Sequence, residues 1–183
     1  LYLIKKGSEK MIYTKVRDVK DPTGNRDEDN GLDFYVPNDW NNGKPYILRM
    51  NEQVNIPSGI KVKVEKNKTF RIENKSGVSV KKGLVRGACV IDPGYRGEIH
   101  LNLFKVVKGS QDIKVRYPGI LGFIGMLFGI KTYATVINPG EKITQGIIEN
   151  VSSEALKYVK PEQYEKGPKT KRQSGSFGST GTK

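Results

Sequence analysis

The sequence is poor in the residues on which much metal and covalent chemistry rests. Its 183 residues include one cysteine, Cys89, and one histidine, His100. A lone cysteine excludes an internal disulfide and fits a reducing cytoplasm. With one Cys and one His there is no zinc ligand set, and no Cys-His or Ser-His couple for covalent catalysis. Cys89 reads as a buried small hydrophobe and His100 as a strand residue. Long apolar runs are also missing. The longest, ILGFIGMLFGI (120–130), is too short to cross a bilayer as a helix and contains three glycines. No secretory signal is read, which leaves no membrane role in view. Acidic residues are outnumbered: 32 Lys plus Arg against 19 Asp plus Glu give a net charge of +13. The excess favours an anionic partner such as nucleic acid, a nucleotide or a phosphate-rich surface. Because the charge is dispersed, with no basic helix and no aromatic-rich sheet signature, a specific nucleic-acid module is disfavoured.

What is present is strand. Short β-branched and aromatic runs recur between Gly, Pro and Asn clusters, among them IYTKVRDV, LDFYVP, KPYILRM, IKVKVE, TFRIENK, EIHLNLF, TYATVI and ITQGIIEN. Many alternate, as in Ile60-Lys61-Val62-Lys63-Val64, so one face is apolar. Turn signals at this spacing suit an antiparallel sandwich or barrel, and the length suits one domain with a single core. One soluble helix is predicted, over 151–158, capped by Ser152 or Ser153 and stopped by Pro161. Residues 1–10 precede the strand run opened by Met11 and read as an extension or added residues. The domain spans 11–165. Within it, 107–132 (KGSQDIKVRYPG followed by the apolar run) reads as an insertion between two strands. The Gly-, Ser-, Thr- and Lys-rich arm 166–183 cannot bury a core and is expected to stay mobile until something binds.

Candidate chemistry sits in five short stretches. In CVIDPGYRGEIHLNLF (89–104), Asp92-Pro93-Gly94-Tyr95 is turn chemistry: Pro93 presets φ, and Gly94 tolerates positive φ at the next position. Asp92 is either turn punctuation or a carboxylate held in one place. NKSGVS (74–79) is a polar turn, or a cation, hydroxyl and N–H offered to phosphate. In INPGEKITQGII (137–148), Pro139-Gly140 turns the chain and Gln145 needs a backbone partner or a ligand. In DNGLDFYVP (29–37), Asp33 is costly in an apolar strand unless bonded or faced by a cation. GSFGSTG (175–181), with Arg172 ahead of it, is a solvated linker, or a run that wraps phosphate with Phe177 stacked on a base.

Taken in order, DNGLDF, KSG, CVIDPGYRGEI, PGEKITQGI and R-x-x-G-S-F-G-S-T-G resemble the five motifs of trimeric dUTPases, over roughly 27–105 and 134–181. The resemblance implies a jelly-roll-like, distorted antiparallel β-barrel, a homotrimer with active sites shared between subunits, and a mobile C-terminal arm. It implies hydrolysis of dUTP to dUMP and pyrophosphate with Mg2+ on the triphosphate. Asp92 matches the carboxylate that activates the attacking water. Tyr95 matches the ring beneath deoxyribose, and the backbone at Cys89 and Ile91 matches the uracil reader. Asp33 matches the residue that holds magnesium through water. Lys75, Ser76, Gly77 and Gln145 match phosphate contacts. Arg172, Phe177, Gly178, Ser179 and Thr180 match the closing arm.

The departures are Lys75 and Lys142 for arginines, Cys89 and Ser176 for glycines, and Arg86 where some members place a base-reading Asn. A dCTP deaminase of the same fold is the alternative enzyme; its general-base Glu would fall at Asn102, which cannot take a proton. The insert between motifs three and four makes the chain resemble phage members of the family, which would act in a host cytoplasm; the other alternative is a dUTPase that also binds a regulatory protein through 107–132. The apolar run Leu121 to Ile130 either serves that contact or packs on its own barrel or a neighbouring subunit.

Overall fold

Alternation governs the architecture. The computed structural model describes residues 11–24, 30–115, 132–152, 157–164 and 166. Among these lie twelve strands: β1 Ile12–Lys15, β2 Leu32–Tyr35, β3 Tyr46–Arg49, β4 Gln53–Pro57, β5 Ile60–Lys63, β6 Lys68–Asn74, β7 Leu84–Arg86, β8 Val90–Ile91, β9 His100–Lys105, β10 Ile113–Val115, β11 Thr132–Ile137 and β12 Lys142–Asn150. They form four antiparallel sheets, ordered β1-β5, β10-β11-β3, β2-β12-β6-β8 and β4-β9-β7. On β9, Leu101, Leu103 and Lys105 point inward while His100, Asn102 and Phe104 are more open. Ile56, Ile60, Phe34, Phe70, Ile72, Leu84, Ile99 and Ile137 join them in one core. The described chain is all-β, as expected. Among the described residues no helix is long and apolar enough to cross a membrane.

The chain divides into two units, Leu1–Ser152 and Ser153–Lys183. The predicted helix over 151–158 does not form at its described positions: 151, 152, 157 and 158 are irregular, and 153–156 lie outside the described residues. Pro161 instead starts a helix, α2 (Pro161–Tyr164). Proline fits the first helical position because its missing N–H has no partner there in any case. Lys160 N–H donates to Gln163 Oε1, and Lys160 O accepts from Gln163 and Tyr164.

The β2-β12-β6-β8 sheet positions the candidate site. β12 pairs with β2 on one side and β6 on the other, with a register irregularity between Lys142 and Thr144. A bulge there turns both Ile143 and Thr144 inward. Gly146 allows the sheet to close on its aromatic core: a Cβ there would lie 2.3 Å from Phe70 Cζ and 2.9 Å from Phe34. Those two rings pack 5.8 Å apart.

KSGVS proves to open a helix, α1 (Ser76–Lys82), rather than a polar turn. A seven-residue helix needs outside help for its last carbonyls, and the start of the 107–132 segment supplies it. Gly83, left-handed at φ +61°, donates to Ser79 O. Ser110 N–H donates to Val80 O and Gln111 N–H to Lys81 O. The Lys105 ammonium donates to Lys82 O and Val107 O at 2.7 Å each, and to Asp112 Oδ2 at 2.6 Å. Both side chains of that ion pair are fully buried. The expected insert is therefore rooted on α1, while the run from Leu121 to Ile130 lies outside the described residues.

Removing one partner of a buried pair leaves the other charge stranded. Lys105→Met should lower stability by about 3–5 kcal/mol in urea unfolding. Lys105→Met with Asp112→Leu should recover most of that loss, which the same titration measures.

Candidate active site

Asp33 is the first fixed point. It sits on β2 in register with Gln145 of β12, which is in turn opposite Glu73 of β6. Its side chain is 3% exposed, and its two oxygens lie 2.7 Å from Lys75 Nζ and 2.8 Å from Lys142 Nζ. A buried carboxylate in an apolar strand thus has the cations its burial demands. The hydrogen bond to Asp33 raises the Lys142 pKa above the ordinary lysine value, against the opposing effect of burial. Lys75 stands at the N-cap of α1, so Ser76 and Gly77 follow directly, both exposed. Gln145 Nε2 donates to Asn74 O at 2.9 Å. Its Oε1 occupies space that a Cβ at Gly31 would enter, at 2.7 Å. Lys75, Gly77 and Lys142 line one cleft, together with Val78, Lys81, Lys82, Gln111 and Glu141. The cleft is rich in ammonium groups and suits an anion.

The second fixed point is the hairpin. Tyr95 N–H donates to Asp92 O at 3.0 Å, closing the turn at Pro93-Gly94. Gly94 does not take the positive φ that glycine would tolerate there. The turn is therefore of the type that any residue can occupy there, and a Cβ on Gly94 would meet nothing within 4 Å. Asp92 is exposed, the Tyr95 ring is 42% exposed, and both line a separate cleft with Ala88, Cys89, Val90, Ile91, Ile99 and His100. Cys89 is half-buried on this wall rather than a core residue.

Tyr95 is held by its hydroxyl, which donates to Glu98 O at 2.7 Å. Gly97 leaves room for it, since a Cβ there would lie 2.4 Å from that oxygen. The Glu98 carboxylate accepts from Arg17 Nε and from Gly59 N–H, each at 2.7 Å. Burial pushes the Glu98 pKa up. The Arg17 and Gly59 hydrogen bonds and the Arg17 and His100 charges outweigh burial and hold it below the ordinary value.

One chain thus gathers Asp33, Lys75, Ser76, Gly77, Lys142 and Gln145 at one end of the sheet, and Cys89, Ile91, Asp92 and Tyr95 at the hairpin. The two clefts share no lining residue. Arg172, Phe177, Gly178, Ser179 and Thr180 lie outside the described residues. Sequence reasoning missed Gly31 and Glu98. Glycine beside a motif carboxylate was the available signal for the first; for Glu98 nothing local revealed contacts with Arg17 and Gly59, 81 and 39 residues away.

The family profile described as dUTPase matches residues 17–117. The chain belongs to the dUTPase family. It is 30% identical over 155 residues to the deoxyuridine 5′-triphosphate nucleotidohydrolase of a Hydrogenobaculum species, covering 84% of each chain. It is 30% identical over 111 residues to the Candida albicans protein of the same name; the match covers 61% of this chain and about half, 53%, of that relative. In fold it is similar to a variant dUTPase of Staphylococcus bacteriophage 80alpha solved with dUpNHpp, at TM-score 0.71 and 22% identity, covering 96% of this chain and all of that one. The fold is accordingly the all-β jelly-roll type of dUTPases.

The depressed Glu98 pKa has a pH consequence. A carboxyl whose folded-state pKa lies below its unfolded value stabilises the fold above the unfolded value and loses that contribution as pH falls through the folded one. The wild type should therefore lose thermal stability more steeply than Glu98→Gln between about pH 5 and pH 3, as melting curves at stepped pH would record.

Proposed function

We propose that this dUTPase-family chain hydrolyses dUTP to dUMP and pyrophosphate by in-line attack of water on the α-phosphorus. The observation that carries the reading is the pairing of two sites on one sheet. A lysine-lined cleft, two of whose lysines pair with Asp33, suits the triphosphate, and the hairpin cleft puts a carboxylate, Asp92, beside a ring, Tyr95. Asp92 accepts a proton from water as its oxygen bonds to the α-phosphorus. The bond from that phosphorus to the bridging oxygen breaks, and pyrophosphate leaves with the electron pair. Tyr95, fixed through Glu98, supports the sugar. Backbone groups at Cys89 and Ile91 face the uracil edge. Ser76, Gly77 and Gln145 orient phosphate oxygens, and Lys75 and Lys142 neutralise charge as the leaving group forms.

The donor set fits a magnesium ion that keeps most of its water. Asp33 offers one hard, buried carboxylate, and among the described residues no three His, Cys, Asp or Glu side chains group into a cage. Such an ion would be held by Asp33 through water and by the substrate's phosphates, and it would neutralise phosphate charge. Lys75 and Lys142 must then exchange Asp33 for phosphate oxygens as nucleotide arrives. The arm residues Arg172, Phe177, Gly178, Ser179 and Thr180 are assigned to closing over base and γ-phosphate.

Because the two clefts share no residue, the base and the phosphates are proposed to be bound by different copies of the chain in a homotrimer. The likeness in fold to a phage dUTPase supports reading 107–132 as a phage-type insert, and its single cysteine supports action in a reducing cytoplasm. Asn102 pairs with Asn55 inside the β4-β9 ladder and presents no carboxylate, which counts against deamination.

The wild type should release pyrophosphate from dUTP in magnesium far faster than from dCTP, dTTP or UTP. Ammonia from dCTP without pyrophosphate from dUTP would overturn the assignment. Asp92→Asn should lower kcat by about 10²–10⁴-fold. Co-refolding Asp92→Asn with Gln145→Ala, each weak alone, should restore a share of wild-type turnover if sites are shared; no restoration would place each site within one chain.

A further inference from the structure

The loop between β7 and β8 builds one wall of the base cleft, and it is held by residues that do not line that cleft. Arg86 ends β7. Its backbone N–H donates to Asn74 Oδ1 at 2.7 Å. Its guanidinium grips Glu73 with both carboxylate oxygens, Nε at 2.7 Å and one terminal nitrogen at 3.1 Å. Arg71 adds a second cation to Glu73 at 3.1 Å. The next residue, Gly87, donates to Asn102 O at 2.8 Å, and a Cβ there would lie 2.0 Å from Asn102 Oδ1. Cys89 O accepts from Ile72 N–H at 2.8 Å. The loop is therefore pinned at its start, at Gly87 and at Cys89, leaving Ala88 to Ile91 to face the cleft. Arg86 stands where the family resemblance would put a base reader, yet its planar fork is already spent on Glu73.

We infer that Glu73, Asn74 and Arg86 form a brace that sets the position of the base-reading backbone and so the discrimination between uracil and cytosine. They are positioning residues, and the inference rests on the proposed nucleotide reading. Backbone readers discriminate only if held in place, because a displaced N–H or C=O no longer meets the donor and acceptor pattern of one base alone. The brace has a second attachment. Asn74 O also receives Gln145 Nε2 at 2.9 Å, so one residue touches the strand feeding the base wall and the glutamine assigned to phosphate.

The test measures binding of dUMP and dCMP by calorimetry alongside pyrophosphate release from dUTP and dCTP. Asn74→Ala, at an exposed position, should reduce the dUMP-to-dCMP affinity ratio by about tenfold or more. Asn74→Asp keeps an acceptor for the Arg86 N–H and should keep the ratio. Arg86→Lys keeps the charge but loses the fork, and should fall between wild type and Asn74→Ala. A ratio within twofold of wild type in both Asn74→Ala and Arg86→Lys, even with a lowered Tm, would reduce the brace to a stability element and overturn the inference. A wild type that binds neither nucleotide would instead remove the reading on which it rests, and the inference with it.

Discussion

A buried carboxylate between two ammonium groups is the interaction on which the rest depends. Asp33 is buried at 2% exposure in the β2 strand, and Lys75 and Lys142 approach it from the ends of β6 and β12. The three strands are neighbours in one sheet, so the ion pairs report the register of all three. A one-residue slip in β12 would turn the lysine away and leave an uncompensated charge in the core. The bulge after Lys142 has the matching role: it lets the lysine face Asp33 while Ile143 and Thr144 both turn inward.

From that node the start of α1 follows by chain connectivity alone. Lys75 is the N-cap of α1, so fixing its ammonium fixes Ser76 and Gly77. Lys82 closes the other end of the helix through Glu141, 2.6 Å away on the turn that leads into β12. Helix and strand are thus stapled at both ends, across the lysine-lined cleft. The hairpin is set independently, through Tyr95, Glu98, Arg17 and Gly59. The lysine-lined cleft and the hairpin cleft therefore rest on separate supports.

Legibility divided along the range of the interactions. Strands with clean alternation, such as β5, β6 and β9, were readable because side-chain period is a local property. Asp33 was readable as a residue in need of a cation, though not which cation, since Lys75 is 42 residues away. The Asp92 turn was legible and its Gly94 conformation was not, because Pro-Gly is compatible with turns of either kind. Helix α1 was missed since three of its residues are β-branched or Gly and its stop depends on a segment about 30 residues later. At 151, 152, 157 and 158 the expected helix does not form, and Pro161, read as a terminator, is instead the first residue of α2. The Glu73-Asn74-Arg86 brace joins two strands through side chains, and no spacing rule announces it.

The buried Lys105–Asp112 pair has a consequence for how this protein can be varied. Everything α1 needs from the 107–132 segment is delivered by Val107 to Asp112, before β10 begins. Gly109 is committed there as well, because a Cβ would lie 2.3 Å from Lys81 O. The root is therefore a socket. Among the described residues the segment continues from Ile113 as the three-residue pairing of β10 with β11. A replacement segment joined at Ile113 keeps that socket intact, while a graft that starts even five residues earlier would unseat the helix.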